Sequence, residues 1–120
     1  MRLFKTKGTE GEAMKRLEAV RDSIGKGEAE FDQFSVKTQY TAIRVEGRTV
    51  GIIEKDRIFL LGDRVEIRAD ARGFISPNIL QEGVGTIEKI RINGSVRFGV
   101  RMDSGEFGYV TTYYIWKVIE

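Results

Sequence analysis

From Ser95 to Met102 the chain alternates without interruption. Val96, Phe98, Val100 and Met102 fall on one side, and Arg97, Gly99 and Arg101 on the other. A period of two places one set against a core and the other toward water, which is the pattern of a half-buried strand. Asn93-Gly94 precedes the stretch, and both residues tolerate the positive φ that a type I′ turn demands. Asp103-Ser104-Gly105-Glu106 follows it as a second tight turn. A segment bounded in this way commits its neighbours to antiparallel pairing. Val84 to Ile92 is the strand before it. The apolar positions there change parity between Ile87 and Ile90, so a bulge or strong bend is expected near Lys89. Phe107 to Thr112 is the strand after it. Thr112-Tyr113-Tyr114 reads as a single turn and Ile115 to Ile119 as a short closing strand.

Upstream, Gly62-Asp63 marks a turn, and Asp63 to Arg68 alternates again, with Val65 and Ile67 opposed to Arg64, Glu66 and Arg68. Between this strand and the next lies a long excursion, Ala69 to Gly83, holding the only proline, Pro77. Proline cannot donate to a ladder and biases Ser76 to an extended conformation, so no strand centre is expected there.

Five short strands, a long first loop, two tight hairpins and a one-turn step before the last strand resemble an SH3-like barrel. Gly62-Asp63-Arg64-Val65 and Gly83-Val84-Gly85-Thr86-Ile87 are similar to the G-D-x-V and G-x-G-x-[IV] openings of small accessory barrels. KOW-type modules and the small barrel subunits of photosynthetic electron-transfer complexes belong to that group. The resemblance covers residues 62–120 and implies a fold without transferring a function. No redox-partner residue carries over, because the chain has no cysteine and Ala69 to Glu82 matches no such family residue by residue. The expected architecture is mainly β (α+β): an N-terminal amphipathic helix and β-meander in residues 1–61, then a five-stranded SH3-like barrel in residues 62–120.

In the first half, Leu3 and Phe4 stand among basic residues in a short edge strand or a frayed end. Thr9 and Glu12 form a T-x-x-E capping box. After it, Ala13, Met14, Leu17, Val20 and Ile24 share one helical face, and Gly25 and Gly27 end the helix. The narrow apolar face suits packing on one surface; docking on a partner or dimerisation is the other use such a face serves. Glu28 to Asp32 reads as an acidic connector bracketed by Phe31 and Phe34. Three strand-like runs follow, Phe34 to Val45, Thr49 to Glu54 and Arg57 to Leu61, with turns at Glu46-Gly47 and Lys55-Asp56.

Composition narrows the chemistry. The 120 residues contain neither cysteine nor histidine. Disulfides and thiolate chemistry are thereby excluded, as are the commonest metal ligand and the commonest general base near neutral pH. No Ser-His or Cys-His arrangement can be built, the carboxylates form no paired motif, and Gly83-x-Gly85 opens a strand rather than the helix a phosphate loop requires. No enzyme activity, catalytic residue, metal site or cofactor is expected. No apolar h-region follows the basic start, and no run approaches the ~20 apolar residues that span a bilayer; a cytoplasmic protein with no membrane contact is expected. The net charge is +2. It divides into 12 Lys+Arg against 10 Asp+Glu in residues 1–61 and 8 against 8 in residues 62–120. The neutral second half speaks against a chain devoted to covering phosphates.

Two surfaces remain as candidates. Phe74, Ile75, Ile79 and Leu80 make the long loop unusually apolar, and Tyr113 and Tyr114 lie in the region that often completes the ligand groove of SH3-like barrels. Such a loop either folds back on the core or docks on a partner. Trp116 is expected inside, and Tyr113 or Tyr114 outside. Together these residues fit a non-catalytic protein-binding module, an accessory subunit or inhibitor of a larger protein or complex; an inhibitor carried by a phage or mobile element suits the description. The alternative is a nucleic-acid-binding barrel of KOW type. Arg97 and Arg101, and likewise Arg64 and Arg68, stand at i and i+4 on outward strand faces, with Arg91 nearby. Arginine offers paired donors to phosphate, and Tyr109 or Tyr114 would stack on a base.

Overall fold

The computed structural model describes residues 2–119, with side chains from Gly8 onward. The chain divides into two compact units, Met1–Leu60 and Leu61–Glu120.

The first unit opens with helix α1 (Arg2–Ala19), followed by the single turn α2 (Arg21–Ile24). Helix α1 starts seven residues before Thr9, so Leu3 and Phe4 lie within a helix rather than an edge strand, and Thr9 is an interior residue rather than a cap. Arg2 to Lys7 consists mostly of good helix formers, and the helix carries Gly8 and Gly11 at a cost of about 1 kcal/mol each. Ala13, Leu17 and Ile24 are buried, while Met14 and Val20 are half-buried. Gly25 ends the helical stretch with φ 131°, a conformation open to glycine. Arg16 Nη1 donates to the carbonyl of Ile58 at 2.9 Å, tying the helix to the last strand of this unit.

That strand belongs to an antiparallel sheet of β1 (Ala29–Val36), β2 (Thr38–Val45), β3 (Arg48–Glu54) and β4 (Arg57–Leu60), in the order β1-β2-β3-β4. The expected acidic connector is therefore strand, and the expected run Phe34 to Val45 is two strands folded at Lys37. Lys37 takes φ 66°. Lysine gives no sequence signal for that conformation, so the hairpin is illegible beforehand. Phe34 and Tyr40 are directly opposed across it, with ring centroids 5.4 Å apart. The turn between β2 and β3 uses Glu46 (φ 55°) and Gly47 (φ 78°), both left-handed as in a type I′ hairpin. Ile43, Val45, Val50, Ile52, Phe59 and Leu60 form the buried set with Leu17.

The second unit contains β5 (Arg64–Ile67), β6 (Gly83–Ile92), β7 (Val96–Met102) and β8 (Phe107–Val110). A 3-10 turn (Thr112–Tyr114) and β9 (Ile115–Ile119) complete it. The strands make one antiparallel sheet in the order β8-β7-β6-β5-β9. The sheet is not closed into a barrel, because β8 and β9 form its two edges. The bulge expected near Lys89 is present: the β6–β7 register shifts between Ile87 and Lys89. At the β6–β7 hairpin the loop is one residue longer than a type I′ turn, since Ile92 pairs with Val96 and only Gly94 takes a positive φ. Val65, Ile67, Ile87, Phe98, Val100 and Ile115 are buried.

Both sheets include glycines where neighbours come too close for a side chain. At Gly51 in β3, a Cβ would sit 2.6 Å from Leu60 Cδ2 and 3.0 Å from the Phe59 carbonyl oxygen. The backbone contact cannot yield by rotamer change, so overpacking follows. Gly51→Ala is expected to lower stability by about 1–3 kcal/mol, read as a lower urea midpoint with unchanged slope.

Candidate functional site

The long loop between β5 and β6 is held by its own polar groups. Asp70 Oδ1 accepts the backbone N–H of Arg72 at 2.9 Å and of Phe74 at 3.0 Å, and Oδ2 meets the Arg72 guanidinium at 3.1 Å. The Asp70 N–H donates in return to the Phe74 carbonyl at 2.8 Å. Glu82 accepts from the Ala69 N–H at 3.0 Å, and Glu106 from the Leu80 N–H at 3.4 Å. These bonds divide the apolar residues of the loop. Ile75 and Ile79 turn inward and are 5% and 1% exposed, whereas Phe74 and Leu80 turn outward and are 64% and 73% exposed. Ile75 and Ile79 are thus core residues of the loop and are not available to a partner. The isolated bridge between Ser76 and Ile79 folds the loop back on itself, with the inner pair Ile75 and Ile79 directed inward and the flanking Phe74 and Leu80 outward.

The 3-10 turn presents Tyr113 outward, 75% exposed, and leaves Tyr114 half-buried. Their rings meet edge to face at 5.0 Å. The Tyr114 carbonyl accepts the Arg68 N–H at 2.9 Å, joining this turn to the end of β5. Trp116, expected inside, is 58% exposed. With Ile115 buried in β9, alternation along the strand sends Trp116 to the other face. The Arg68 guanidinium lies over its ring at 4.0 Å.

The arginines are sorted by their partners. Arg64 makes paired bonds of 2.7 Å to both carboxylate oxygens of Asp103. This contact raises the Arg64 pKa and lowers that of Asp103. Arg68 meets Glu66 at 2.9 Å, and Arg101 meets Glu88 at 3.6 Å and the Gly105 carbonyl at 3.1 Å. Strand register places Arg64, Thr86 and Arg101 in one row and Arg91 opposite Arg97 in another, so these side chains share a face of the sheet. Arg68 falls beyond the end of β5 and is not part of those rows. Tyr109 is half-buried with the Arg91 guanidinium 4.9 Å from its ring centre. Lys89 joins the same face beside Gly99. It is absent from the sequence candidates, although the parity change legible near Lys89 is the signal that turns its side chain to this face.

Among the described residues no group of three metal-capable side chains forms, and no helix is long and apolar enough to cross a membrane. The first unit has a shallow pocket of about 180 Å³, with Thr9 and Glu10 of α1 facing Gln33, Tyr40, Thr41 and Lys55. None of the residues proposed from the sequence for protein or nucleic-acid binding lines it.

These features describe a mainly β protein in which several large apolar side chains are exposed on the long loop, the 3-10 turn and strand faces, and part of the charged surface is ion-paired. Comparison with protein-family models, with curated proteins and with solved structures finds no match.

The Asp70 carboxylate is held below its usual pKa, first by the Phe74 N–H and further by Arg72, against partial desolvation. A carboxylate depressed in the folded state stabilises above its unfolded value, about 3.9, and that contribution disappears as pH falls through the folded value. Acidification below about pH 4 is therefore expected to lower the protection factors (exchange relative to the unfolded chain at the same pH) of the Arg72 and Phe74 amides before that of Val100. Asp70→Ala is expected to do the same at neutral pH.

Proposed function

We propose that the second unit is an SH3-like, incompletely closed barrel, and that the protein is a non-catalytic binding module serving as an accessory subunit or inhibitor of a larger protein. A reducing cytoplasm suits a chain without cysteine. The strand order β8-β7-β6-β5-β9, the long loop after the first strand and the 3-10 turn before the last one support the fold reading.

One observation carries the functional reading. Among the described residues, the large apolar side chains left exposed are Phe74, Leu80, Ile92, Tyr113 and Trp116. All belong to the second unit, and four of them stand on the long loop or on the 3-10 turn and β9. Phe74 and Leu80 project from backbone already fixed by Asp70 and Glu106. A pre-ordered loop loses little conformational freedom on binding, which lowers the cost of association. Tyrosine and tryptophan add large contact area with few rotatable bonds. Protein recognition needs no nucleophile or general base, in keeping with a chain devoid of cysteine and histidine.

The test compares variants at matched stability. Phe74→Ser, Leu80→Ser and Tyr113→Ala are expected to keep the wild-type melting temperature and to weaken capture of a protein partner by about tenfold or more each. Ile79→Ala, a core change, is expected to lower the melting temperature. Unchanged capture in all three surface variants, or parallel loss of capture and melting temperature, overturns the reading.

A further inference from the structure

The net charge of the second unit is zero, yet its charges are unevenly distributed. Of its eight cationic residues, Arg64, Arg68, Arg72 and Arg101 are paired with Asp103, Glu66, Asp70 and Glu88. No ion pair is found for the other four, Lys89, Arg91, Arg97 and Lys117, among the described residues. Three of these four lie together on β6 and β7. Arg91 and Arg97 are directly opposed across the ladder, an arrangement of like charges that is unfavourable unless an anion joins them. Arg97 Nε donates to Ser95 Oγ at 3.1 Å.

The same face bears an aromatic pair. Gly99 lies between Lys89 of β6 and Tyr109 of β8. Phe107 and Tyr109 lie across it so closely that a Cβ on Gly99 would fall 2.7 Å from Phe107 Cζ and 3.1 Å from Tyr109 Cε1. The two rings meet edge to face at 5.5 Å. Cationic groups stand over them: Arg91 over Tyr109 at 4.9 Å, and Arg101 and Lys89 over Phe107 at 4.8 and 5.9 Å. Gly99 thus lets two rings lie low on the sheet, under long flexible cationic side chains.

We propose that this face, built on Lys89, Arg91, Arg97, Phe107 and Tyr109, binds single-stranded nucleic acid. The opposed arginines and Lys89 meet phosphates, while a base stacks on the Tyr109 ring, which Phe107 braces edge-on, in place of the Arg91 guanidinium. Stacking tolerates any base and requires an unpaired one, which selects single strands over duplexes. The site shares no residue with the docking surface of Phe74, Leu80 and Tyr113, so each stands or falls separately.

The test is fluorescence anisotropy with labelled single-stranded DNA and RNA homopolymers, a duplex of equal length, and heparin as a base-free polyanion. Three or four phosphates met at this face give a slope of log K against log salt of about −2 to −3. Arg91→Ala and Arg97→Ala are each expected to reduce that slope by about 0.7. Tyr109→Leu is expected to weaken single-strand binding roughly five- to hundredfold while leaving the slope and the affinity for heparin unchanged. Lys15→Ala, an exposed cation of helix α1 that belongs to neither surface, is expected to bind as the wild type does. Circular dichroism establishes that each variant is folded, and Arg91→Glu, at an exposed position, is expected to weaken binding more than Arg91→Ala. Absence of binding at low salt overturns the proposal. So does equal affinity for duplex, heparin and single strand with no effect of Tyr109→Leu, the behaviour of a plain polyanion surface.

Discussion

Strand β5 is four residues long, and it is paired on both sides, to β6 and to β9. The second unit depends on this double pairing. Through it the last strand returns beside the first, and Val65 and Ile67, both fully buried, are enclosed from both flanks. Everything between, the long loop, two hairpins and the 3-10 turn, is the detour between these two contacts. The bond from the Arg68 N–H to the Tyr114 carbonyl extends the arrangement past the strand end. In the first unit no strand has this role: the sheet follows chain order, and a helix secured by Arg16 lies on its last strand.

Much of the second unit is legible in the sequence because its local signals agree with one another. Alternation in Ser95 to Met102, the parity change near Lys89 and the tyrosines before Ile115 each specify a strand, a bulge and a turn. Closure is not legible, since whether edge strands meet depends on the twist and curvature of the whole sheet. The first unit is less legible where residues act against their propensities. Lys37 takes a left-handed turn with no glycine, and Gly8 and Gly11 lie within a helix. At those positions hairpin pairing and helix continuation outweigh local preference.

The candidate surfaces show the same division. Phe74 and Leu80 are exposed, but nothing in the composition of the loop separates them from Ile75 and Ile79. The separation arises from Asp70 bonding two amides ahead of itself and from a bridge four residues long. The arginine stripe is legible as spacing and illegible as chemistry. Asp103, nearly forty residues away, takes up Arg64, whereas the pair Arg91 and Arg97, set close by a hairpin, meets no acid among the described residues. Counting charges over the unit conceals this, because neutrality in sum is compatible with segregation on the surface.

Trp116 is the one tryptophan of the chain, and it lies outside the core with a guanidinium 4.0 Å above its ring. Its indole is already more than half exposed in the native state, so unfolding chiefly removes the guanidinium from its face. The first unit holds only Tyr40 as a phenolic chromophore. Emission spectroscopy of this protein therefore observes a small patch of surface at the end of β5. The loss of either core has to be followed through the peptide bond, by far-ultraviolet dichroism or amide exchange.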